Sequence, residues 1–319
     1  MAGEFDLIAR HFDWPAPAGT LGVGDDCALL PVASGHRLAI TTDLLVEGCH
    51  FFSDVDPQAL GHKALAVNVS DLAAMGARPL GCLLGLSLPR VDDDWLAGFA
   101  RGFRALADGV GCPLIGGDTT RSPQGIVISV TAMGEVAVDA ELRRSGARPG
   151  DDIWVTGTLG APHVALELLQ GRHPSHAALL ESLQAMLEWP QPPVRFGTAL
   201  AGVAHAAIDI SDGLLQDLGH VLKASGCAAE IEYSRLPVHE RLGVLDAAVV
   251  QRAVLNGGDV YQLCFTAAPL AGPVIEALAA RHNIRATRVG RVLPGQGVRV
   301  SGCPLPLGGD GYAGFDHFG

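Results

Sequence analysis

Short apolar runs alternate with segments of helical periodicity along the N-terminal half of the chain. Four apolar runs predict strands: RLAITTD ending at Asp43, LGCLLGLSL (80–88), CPLIGGD (112–118) and GIVISVTAMGEV (125–136). Between the first two runs, Asp56-Pro57 predicts the start of a helix, with Asp as N-cap and Pro in the first turn. A second helix is predicted over 92–109, beginning at the acidic cluster DDD.

A composition shift follows at RRSGARPGDDIWVTG, where Gly, Pro and charged residues separate two apolar blocks. This shift predicts a boundary within 138–150 and domains of 1–140 and 141–319. Beyond it, strands are predicted at DIWVTG, AAIDI, AAEIEYS, VYQLCFT and IRATRVGRVL. Two helices precede the proline cluster at 190–193, and another covers DGLLQDLGHVLKASG. The fold class is therefore α/β or α+β in each half.

Composition narrows the classes of function. The chain has 319 residues, 48% of them hydrophobic, which is typical of a globular protein with two domains. A net charge of −12 without a basic patch argues against nucleic acid as a partner. Seven cysteines with apolar neighbours and no Cys-x-x-Cys pair predict reduced, buried thiols in a cytoplasmic protein. The N-terminus lacks the features of a signal peptide, and no apolar run reaches the roughly 20 residues needed to cross a bilayer. The sequence therefore predicts no membrane partner.

Aspartate recurs where apolar segments end, usually beside Gly, Ser or Thr. A single such residue is most often a cap or a turn residue. In an α/β sheet, however, strand ends converge on one edge, where several carboxylates would repel one another. Lys and Arg are scarce beside these motifs, and oxygen ligands favour Mg2+ or Mn2+. Such an ion joins carboxylates to substrate phosphates, so an acidic protein could bind a nucleotide without a basic patch.

Glycine provides a second indication of phosphate binding. LIGGDTTRS has a Gly-Gly-Asp turn directly after a predicted strand, where bare amides can approach a phosphate. The chain has no Walker A loop and no protein-kinase catalytic set, so the predicted phosphate chemistry belongs to another architecture.

An ordered set of motifs from residue 3 to the C-terminus resembles the thiamine-monophosphate kinases, of the aminoimidazole ribonucleotide synthetase and selenophosphate synthetase superfamily. The matching segments are GEFDLIARHF, GVGDDCALL, TTDLLVEGCHF, HKALAVNVSDLAAMGARP, IGGDTT, RRSGARPGDDIWVTGTLG, AIDISDGLLQDLGHVLKASGC, GGDVYQLCFT and GYAGFDHF. The resemblance implies an N-terminal ATP- and Mg2+-binding domain that dimerises through its sheet. It also implies a C-terminal domain that completes the active-site cleft.

The implied reaction is transfer of the γ-phosphate of ATP to thiamine monophosphate, which gives thiamine diphosphate. The acceptor phosphate is already anionic, so positioning and charge neutralisation can carry the rate without a strong base. Two alternatives stay open: another ATP-dependent enzyme of the superfamily, such as a selenophosphate synthetase, or a non-catalytic nucleotide or thiamine sensor. The first would need a reactive cysteine near the N-terminus, and Cys27 instead lies within the aspartate motif.

The resemblance also implies roles for individual residues. The implied magnesium ligands are Asp26, Thr41 (through its backbone), Thr42, Asp43, Asp71, Asp118, Asp209 and Asp212, while Asp25 shapes the turn. The implied ATP contacts are Gly117, Asp118, Arg144 and Ser211. The implied catalytic groups are Arg144, Asp118 and Asp212. The implied substrate contacts are His50, Asp259 and Tyr312.

This chain departs from the family in one motif. Where the family usually reads GGEDYEL, this chain reads GGDVYQL. Asp259 therefore replaces a Glu, Val260 an Asp and Gln262 a Glu, and these changes fall at the thiamine end of the implied site.

Overall fold

The computed structural model of the chain describes residues 4–23 and 27–306. The described residues divide into two compact units. The first comprises residues up to Leu72 together with Ala77–Asp139, and the second comprises Ala73–Gly76 together with residues from Ala140 onward. No helix in the described part of the chain combines the length and the apolar character needed to cross a bilayer.

The first unit is built on a mixed four-stranded sheet. Its strands are β1 (His36–Val46), β2 (Arg78–Leu88), β3 (Leu114–Arg121) and β4 (Val127–Ala137). They lie in the order β1-β4-β2-β3, in which β2 and β3 are parallel and the other neighbours antiparallel. Its helices are α1 (Glu4–His11), α2 (Pro57–Ala74) and α3 (Asp93–Val110).

Both predicted helix starts in this unit are confirmed by their hydrogen bonds. Asp56 Oδ1 accepts from the amides of Gln58 at 2.6 Å and Ala59 at 3.2 Å. Asp92 Oδ1 accepts from the amide of Trp95 at 3.1 Å at the start of α3. Each carboxylate satisfies amides that have no partner within the helix, and its charge is favourable at the positive end of the helix dipole.

Helices α2 and α3 pack in close contact at glycines. A Cβ on Gly102 would lie 1.8 Å from the carbonyl oxygen of Gln58, and one on Gly61 would lie 2.0 Å from that of Phe99. Phe99 and Phe103 are fully buried beside this contact. Any side chain at Gly61 or Gly102 would therefore force the two helices apart.

The sheet of the first unit has one buried and one open face. Residues whose side chains alternate onto the inner face, such as Leu84 and Val130, are buried. The outer face of β1 carries Leu38, Ile40, Leu44 and Val46, all of which are exposed. Adjacent exposed apolar side chains of this kind are typical of an interaction surface.

The second unit is built on a six-stranded sheet. Its strands are β5 (Asp152–Thr156), β6 (Ala206–Asp209), β7 (Cys227–Glu232), β8 (Leu263–Ala267), β9 (Ala286–Pro294) and β10 (Gly297–Ser301). They lie in the order β10-β7-β9-β5-β8-β6, with β7 and β10 parallel and the other neighbours antiparallel. Its helices are α4 (Ala161–Leu169), α5 (Ala177–Glu188), α6 (Val194–Leu200), α7 (Leu214–Ser225), α8 (Ala247–Asn256) and α9 (Gly272–His282).

Several sequence-based expectations need correction. The predicted strand that ends at Asp43 continues to Val46, and Asp118 lies inside β3 and not at its end. Because most neighbouring strands are antiparallel, their carboxyl ends alternate between edges and do not collect the aspartates at one edge. Cys27 and Cys49 are exposed, although buried thiols were expected. The fold is α+β with two domains, as the resemblance implies.

The glycine contact between α2 and α3 gives a stability prediction. We expect Gly102→Ala to lower the free energy of unfolding by about 2 kcal/mol or more, because the new methyl group overlaps the Gln58 carbonyl. Gly109→Ala is the matched control on the same helix, since a Cβ there meets nothing within 4 Å. It should leave stability unchanged or raise it by up to about 1 kcal/mol. Urea unfolding of both variants measures this, and equal effects would contradict the close helix contact.

Candidate active site

Strand β1 and helix α2 bring two of the predicted ligands together. Thr41 Oγ1 donates to Asp71 Oδ2 at 2.5 Å. Two residues further along β1, the amide of Asp43 donates to Asn68 Oδ1 at 3.1 Å. Asn68 is fully buried, and its Nδ2 donates to the carbonyl oxygen of Ala64 within α2 at 3.2 Å. These contacts fix the backbone of β1 against α2, and therefore the positions of Asp43 and Asp71.

The same arrangement makes ionisation of Asp43 less favourable than that of an aspartate in water. Burial, reinforced by the neighbouring Asp71 carboxylate, raises the pKa of Asp43 from 3.8 to about 6. An ionised Asp43 therefore lies close to the Asp71 carboxylate in a partly desolvated position. A bound cation would relieve their repulsion.

Thr42 faces the other side of β1. Its hydroxyl donates to the carbonyl oxygen of Val130 at 3.1 Å and accepts from Thr131 Oγ1 at 3.0 Å. Both partners lie on β4, so the Thr42 side chain is tied to the sheet. Any ion that Thr42 holds has to compete with these hydrogen bonds or use its backbone.

The structure does not bring Asp118 to the Asp43–Asp71 pair within one copy of the chain. Along the register of the sheet, Leu44, Ser129, Gly85 and Asp118 form one row across the four strands. Three inter-strand spacings, about 14 Å, therefore separate β1 from β3. Asp118 also shares its face with Leu44, opposite Asp43, because side chains alternate along a strand. Asp43 and Asp118 of one copy cannot ligate the same ion.

Gly117 has a packing reason to be glycine. A Cβ there would lie 2.0 Å from the carbonyl oxygen of Leu84 on β2. Gly116, Gly117 and Asp118 lie within β3, so the prediction of a Gly-Gly-Asp turn at this place was wrong, and Gly117 is required by the close β2–β3 pairing. Gly117 and Asp118 are both exposed on this edge strand.

His50 lies in the turn after β1. Its Nδ1 accepts from the amide of Val46 at 3.0 Å, so the neutral ring carries its proton on Nε2. The amide of His50 in turn donates to the carbonyl oxygen of Val46 at 2.9 Å. The turn therefore holds the ring in one tautomer, with Nε2 as a hydrogen-bond donor.

In the second unit, the segment from Asp209 to Asp212 is hydrogen-bonded to the segment from Asp259 to Gln262. The amide of Asp259 donates to Ser211 O at 2.8 Å, and the amide of Ile210 donates to Gln262 O at 2.7 Å. Gly258 approaches so closely that a Cβ would lie 2.4 Å from Ser211 O. The predicted metal and ATP residues of this unit and its predicted substrate residue are therefore parts of one backbone scaffold.

Asp259 is held in an unusual backbone conformation. Its φ is +61°, and that of Tyr261 is +50°, in the left-handed region that side chains other than glycine rarely occupy. Tyr261 Oη donates to Asp259 Oδ1 at 3.1 Å. Such strain persists where the surrounding structure enforces it, which is common at functional sites.

The two other departures from the family motif have local partners. Gln262 Oε1 accepts from Thr156 Oγ1 at 2.8 Å, while its Nε2 donates to the carbonyl oxygen of Gln191 at 2.9 Å. An ionised Glu at this position could not donate the second bond. Val260 is buried in the core of the second unit, where an Asp would need a buried partner. Both neutral residues suit their surroundings in this chain.

Sequence reasoning missed Asp217, which lies in the first turns of α7. Its Oδ2 accepts from the amides of Asp212 at 3.1 Å and Gly213 at 3.0 Å. Burial and the nearby Asp212 carboxylate raise the pKa of Asp217 to about 7, despite these hydrogen bonds. A signal was present: the helix starts after Gly213, which cannot cap it with a side chain, and an Asp follows within its first turns.

Arg144 lies apart from these groups. Arg144 is exposed in a 3-10 turn, and its carbonyl oxygen accepts from Ser225 Oγ at 2.8 Å. Ser225 ends α7, so the backbone of Arg144 lies about 18 Å, one length of this helix, from the Asp212 end. Asp26 and Tyr312 fall outside the described residues.

The donor set fits Mg2+. Within residues 4–23 and 27–306, no three His, Cys, Asp or Glu side chains converge closely enough to hold a metal ion. The described residues instead present carboxylates in close pairs, with hydroxyl and carbonyl oxygens beside them. Mg2+ commonly binds one or two carboxylates, several waters and substrate phosphates, so pairs are sufficient.

The raised pKa of Asp43 predicts a pH dependence of stability for the metal-free protein. The folded state holds the Asp43 proton more tightly than the unfolded state, so stability falls as pH rises from 3.8 to about 6. Asp43→Asn removes this dependence. Relative to wild type, the variant should therefore be more stable at about pH 7.5 than at about pH 4.

Urea unfolding at both pH values measures the difference between the two proteins. Asp54→Asn, at an exposed position of the same unit, is the control and should show no such double difference. An Asp43→Asn effect that is the same at both pH values would contradict the repulsion between Asp43 and Asp71.

Comparisons with known proteins identify the family of this chain. The family model for AIR synthase related protein, N-terminal domain, matches residues 24–136, and the model for the C-terminal domain matches residues 148–303. The thiamine-monophosphate kinase of Salmonella typhimurium strain LT2 is 41% identical over 329 residues, covering 99% of this chain and 98% of the relative. That of Escherichia coli strain K12 is 42% identical over 324 residues, with the same coverage.

Solved structures give the same result. The crystal structure of thiamine-monophosphate kinase from Stenotrophomonas maltophilia K279a has 44% identity and a TM-score of 0.85, covering 94% of this chain and 95% of that one. AaThiL complexed with AMPPCP and TMP has 31% identity and a TM-score of 0.77, covering 98% of this chain and 96% of that one. By sequence and by fold, the chain belongs to the thiamine-monophosphate kinase family.

Proposed function

We propose that this chain transfers the γ-phosphate of ATP to thiamine monophosphate, forming thiamine diphosphate and ADP in the last step of thiamine diphosphate biosynthesis. The observation that carries this proposal is the match over 99% of the chain to thiamine-monophosphate kinases. The related AaThiL, complexed with AMPPCP and TMP, supports an ATP analogue and thiamine monophosphate as the ligand classes.

The chemistry needs positioning more than proton transfer. The acceptor phosphate is anionic, and the main barrier is the approach of two negatively charged groups. Mg2+, when bound, supplies neutralising charge to the phosphates. The ligands we propose are Asp43 and Asp71 in the first unit, Asp209 and Asp212 in the second, and Asp26, Thr41, Thr42 and Asp118. Because Asp43 lies beside the Asp71 carboxylate, a bound cation would relieve their repulsion.

The acceptor end is assigned to His50, Asp259 and Tyr312. The fixed tautomer of His50 makes its Nε2 a hydrogen-bond donor, suited to a phosphate oxygen. Asp259 is held by its bond to Ser211, so a substrate that contacts Asp259 would be kept in register with Asp212. Tyr312 would supply an aromatic surface for the thiamine ring.

ATP contacts are assigned to Gly117, Asp118, Arg144 and Ser211. The guanidinium of Arg144 can pair with two phosphate oxygens, which suits a role in stabilising transferred charge. Because Arg144 and Asp212 lie at opposite ends of α7, we propose that they contact different parts of the nucleotide. Asp118, Asp212 and Arg144 remain our candidates for the catalytic groups.

We also propose that residues 1–140 form the ATP- and Mg2+-binding domain and residues 141–319 the domain that completes the site. All seven cysteines are free thiols, which supports a reducing, cytoplasmic environment.

A turnover assay tests the proposed activity. Protein incubated with ATP, Mg2+ and thiamine monophosphate should produce thiamine diphosphate, measured by chromatography of the fluorescent thiochrome derivatives. Asp43→Asn and Asp212→Asn should each lower kcat/KM by about 100-fold or more, because each removes a charged ligand. Asp54→Asn is the control and should retain full activity. Folded wild-type protein that binds ATP but forms no thiamine diphosphate would refute the activity.

A homodimer is part of the proposal. The outer face of β1 presents four exposed apolar side chains, including Ile40 at 62% exposure and Leu44 at 56%. A second copy packed on this face would remove that surface from water. Asp118 lies on the same face of the sheet by register, so we propose that dimerisation also completes its surroundings.

A charge on this face tests the dimer. Ile40→Asp should convert the dimer to a monomer in sedimentation velocity and lower kcat/KM, because a carboxylate would be buried in the interface. Leu270→Asp is the control, since Leu270 is 93% exposed on the second unit. It should leave both properties unchanged. A wild-type monomer, or a dimer that persists in Ile40→Asp, would contradict an interface on this face.

A further inference from the structure

Asp217 is a buried carboxylate to which neither the sequence motifs nor the proposed reaction gives a role. It lies within the first turns of α7, and only 2% of its surface is exposed. Its Oδ2 accepts from the backbone amides of Asp212 and Gly213 at 3.1 Å and 3.0 Å. The carboxylate thus reaches back along the helix axis to the segment that leads into it.

The usual way of capping this helix is blocked. Gly213 is the N-cap residue of α7, and it offers no side chain to the helix amides. A Cβ at Gly213 would lie 2.6 Å from the carbonyl oxygen of Asn256, and its φ of +131° also disfavours other residues. Since the cap position must be glycine, the amides at the start of α7 need an acceptor from elsewhere. Asp217 supplies one from within the helix to the amide of Gly213, and it also accepts from the amide of Asp212.

This contact has consequences on both sides of the loop. Asp212 precedes the helix, where an aspartate commonly acts as the cap. With the amides of Asp212 and Gly213 bound to Asp217, the backbone that carries the Asp212 side chain is fixed. On the other side, Ser211 O accepts from the amide of Asp259 at 2.8 Å. A shift of residues 211–213 would therefore move Asp259 as well.

We propose that Asp217 is a positioning residue that holds the Ser211–Gly213 backbone in the conformation needed to bind the Mg2+–nucleotide complex and to keep Asp259 in register with it. This inference rests on the proposed function for the identity of the ligand. The requirement is for an acceptor oxygen at the end of the Asp217 side chain. An amide oxygen at the same place meets that requirement, and a methyl group does not.

Three variants test the inference. Asp217→Ala removes the acceptor, while Asp217→Asn retains an acceptor oxygen. Leu183→Ala is the control for general destabilisation. Leu183 is fully buried in an apolar cluster on α5 and takes no part in the hydrogen bonds of the loop. Each protein is assayed by calorimetric titration with AMPPCP and Mg2+, by hydrogen exchange over residues 209–216, and by steady-state kinetics.

The expected result is selective. Asp217→Ala should weaken Mg2+–AMPPCP binding by about 10-fold or more, speed exchange of the loop amides, and raise KM for thiamine monophosphate. Asp217→Asn should stay within about threefold of wild type in binding, because it restores the hydrogen bonds. Leu183→Ala should lower the melting temperature without changing binding or loop exchange.

Unchanged binding and loop exchange in Asp217→Ala would overturn the proposal. So would an Asp217→Asn variant as impaired as Asp217→Ala, or a Leu183→Ala control with the same binding loss. If Asp217→Ala does not fold, Asp217→Glu replaces it. This variant should show faster loop exchange and weaker Mg2+–AMPPCP binding, and wild-type values for both would contradict the proposal. Nucleotide binding and hydrogen exchange are both measured in the absence of turnover, so they do not depend on the proposed activity. Wild-type protein that binds Mg2+–AMPPCP but phosphorylates no thiamine monophosphate would refute the proposed function alone.

Discussion

Carboxylates held close together in partly buried positions repel one another, and each unit of this chain contains one such pair. In the first unit, strand pairing and the buried Asn68 fix Asp43 beside Asp71. In the second, the start of α7 fixes Asp212 beside Asp217. Folding energy supplied by the cores holds these charges together, and a cation bound with substrate phosphates would neutralise them. An acidic protein can thereby bind a strongly anionic nucleotide.

Backbone contacts, more than side-chain contacts, determine where these groups lie. Gly117, Gly213 and Gly258 each stand where a Cβ would collide with a neighbouring carbonyl group. The loops can therefore approach one another closely enough for Asp259 to bond Ser211. The high glycine content of the chain has a structural explanation at these positions, in addition to any contact with phosphate.

Some elements of this structure could be predicted from neighbouring residues in the sequence alone. The caps at Asp56 and Asp92 depend only on neighbouring residues, so the starts of α2 and α3 could be predicted. The end of β1 could not, because pairing with β4 as far as Val46–Val127 sets it. Strand direction is also invisible in hydrophobic patterns, so the expected gathering of aspartates at one sheet edge was wrong. Asp217 was missed because its role depends on the backbone conformation at Gly213.

The central claim is tested most directly by calorimetric titration of the wild-type protein with AMPPCP. The titration is done once in the presence of Mg2+ and once with EDTA instead of Mg2+. If paired carboxylates form the nucleotide site, affinity should rise by about 100-fold or more when Mg2+ is present. Without the ion, the phosphates would approach uncompensated negative charge. Equal affinity in Mg2+ and in EDTA would show that the protein binds the nucleotide by other means and would contradict the account.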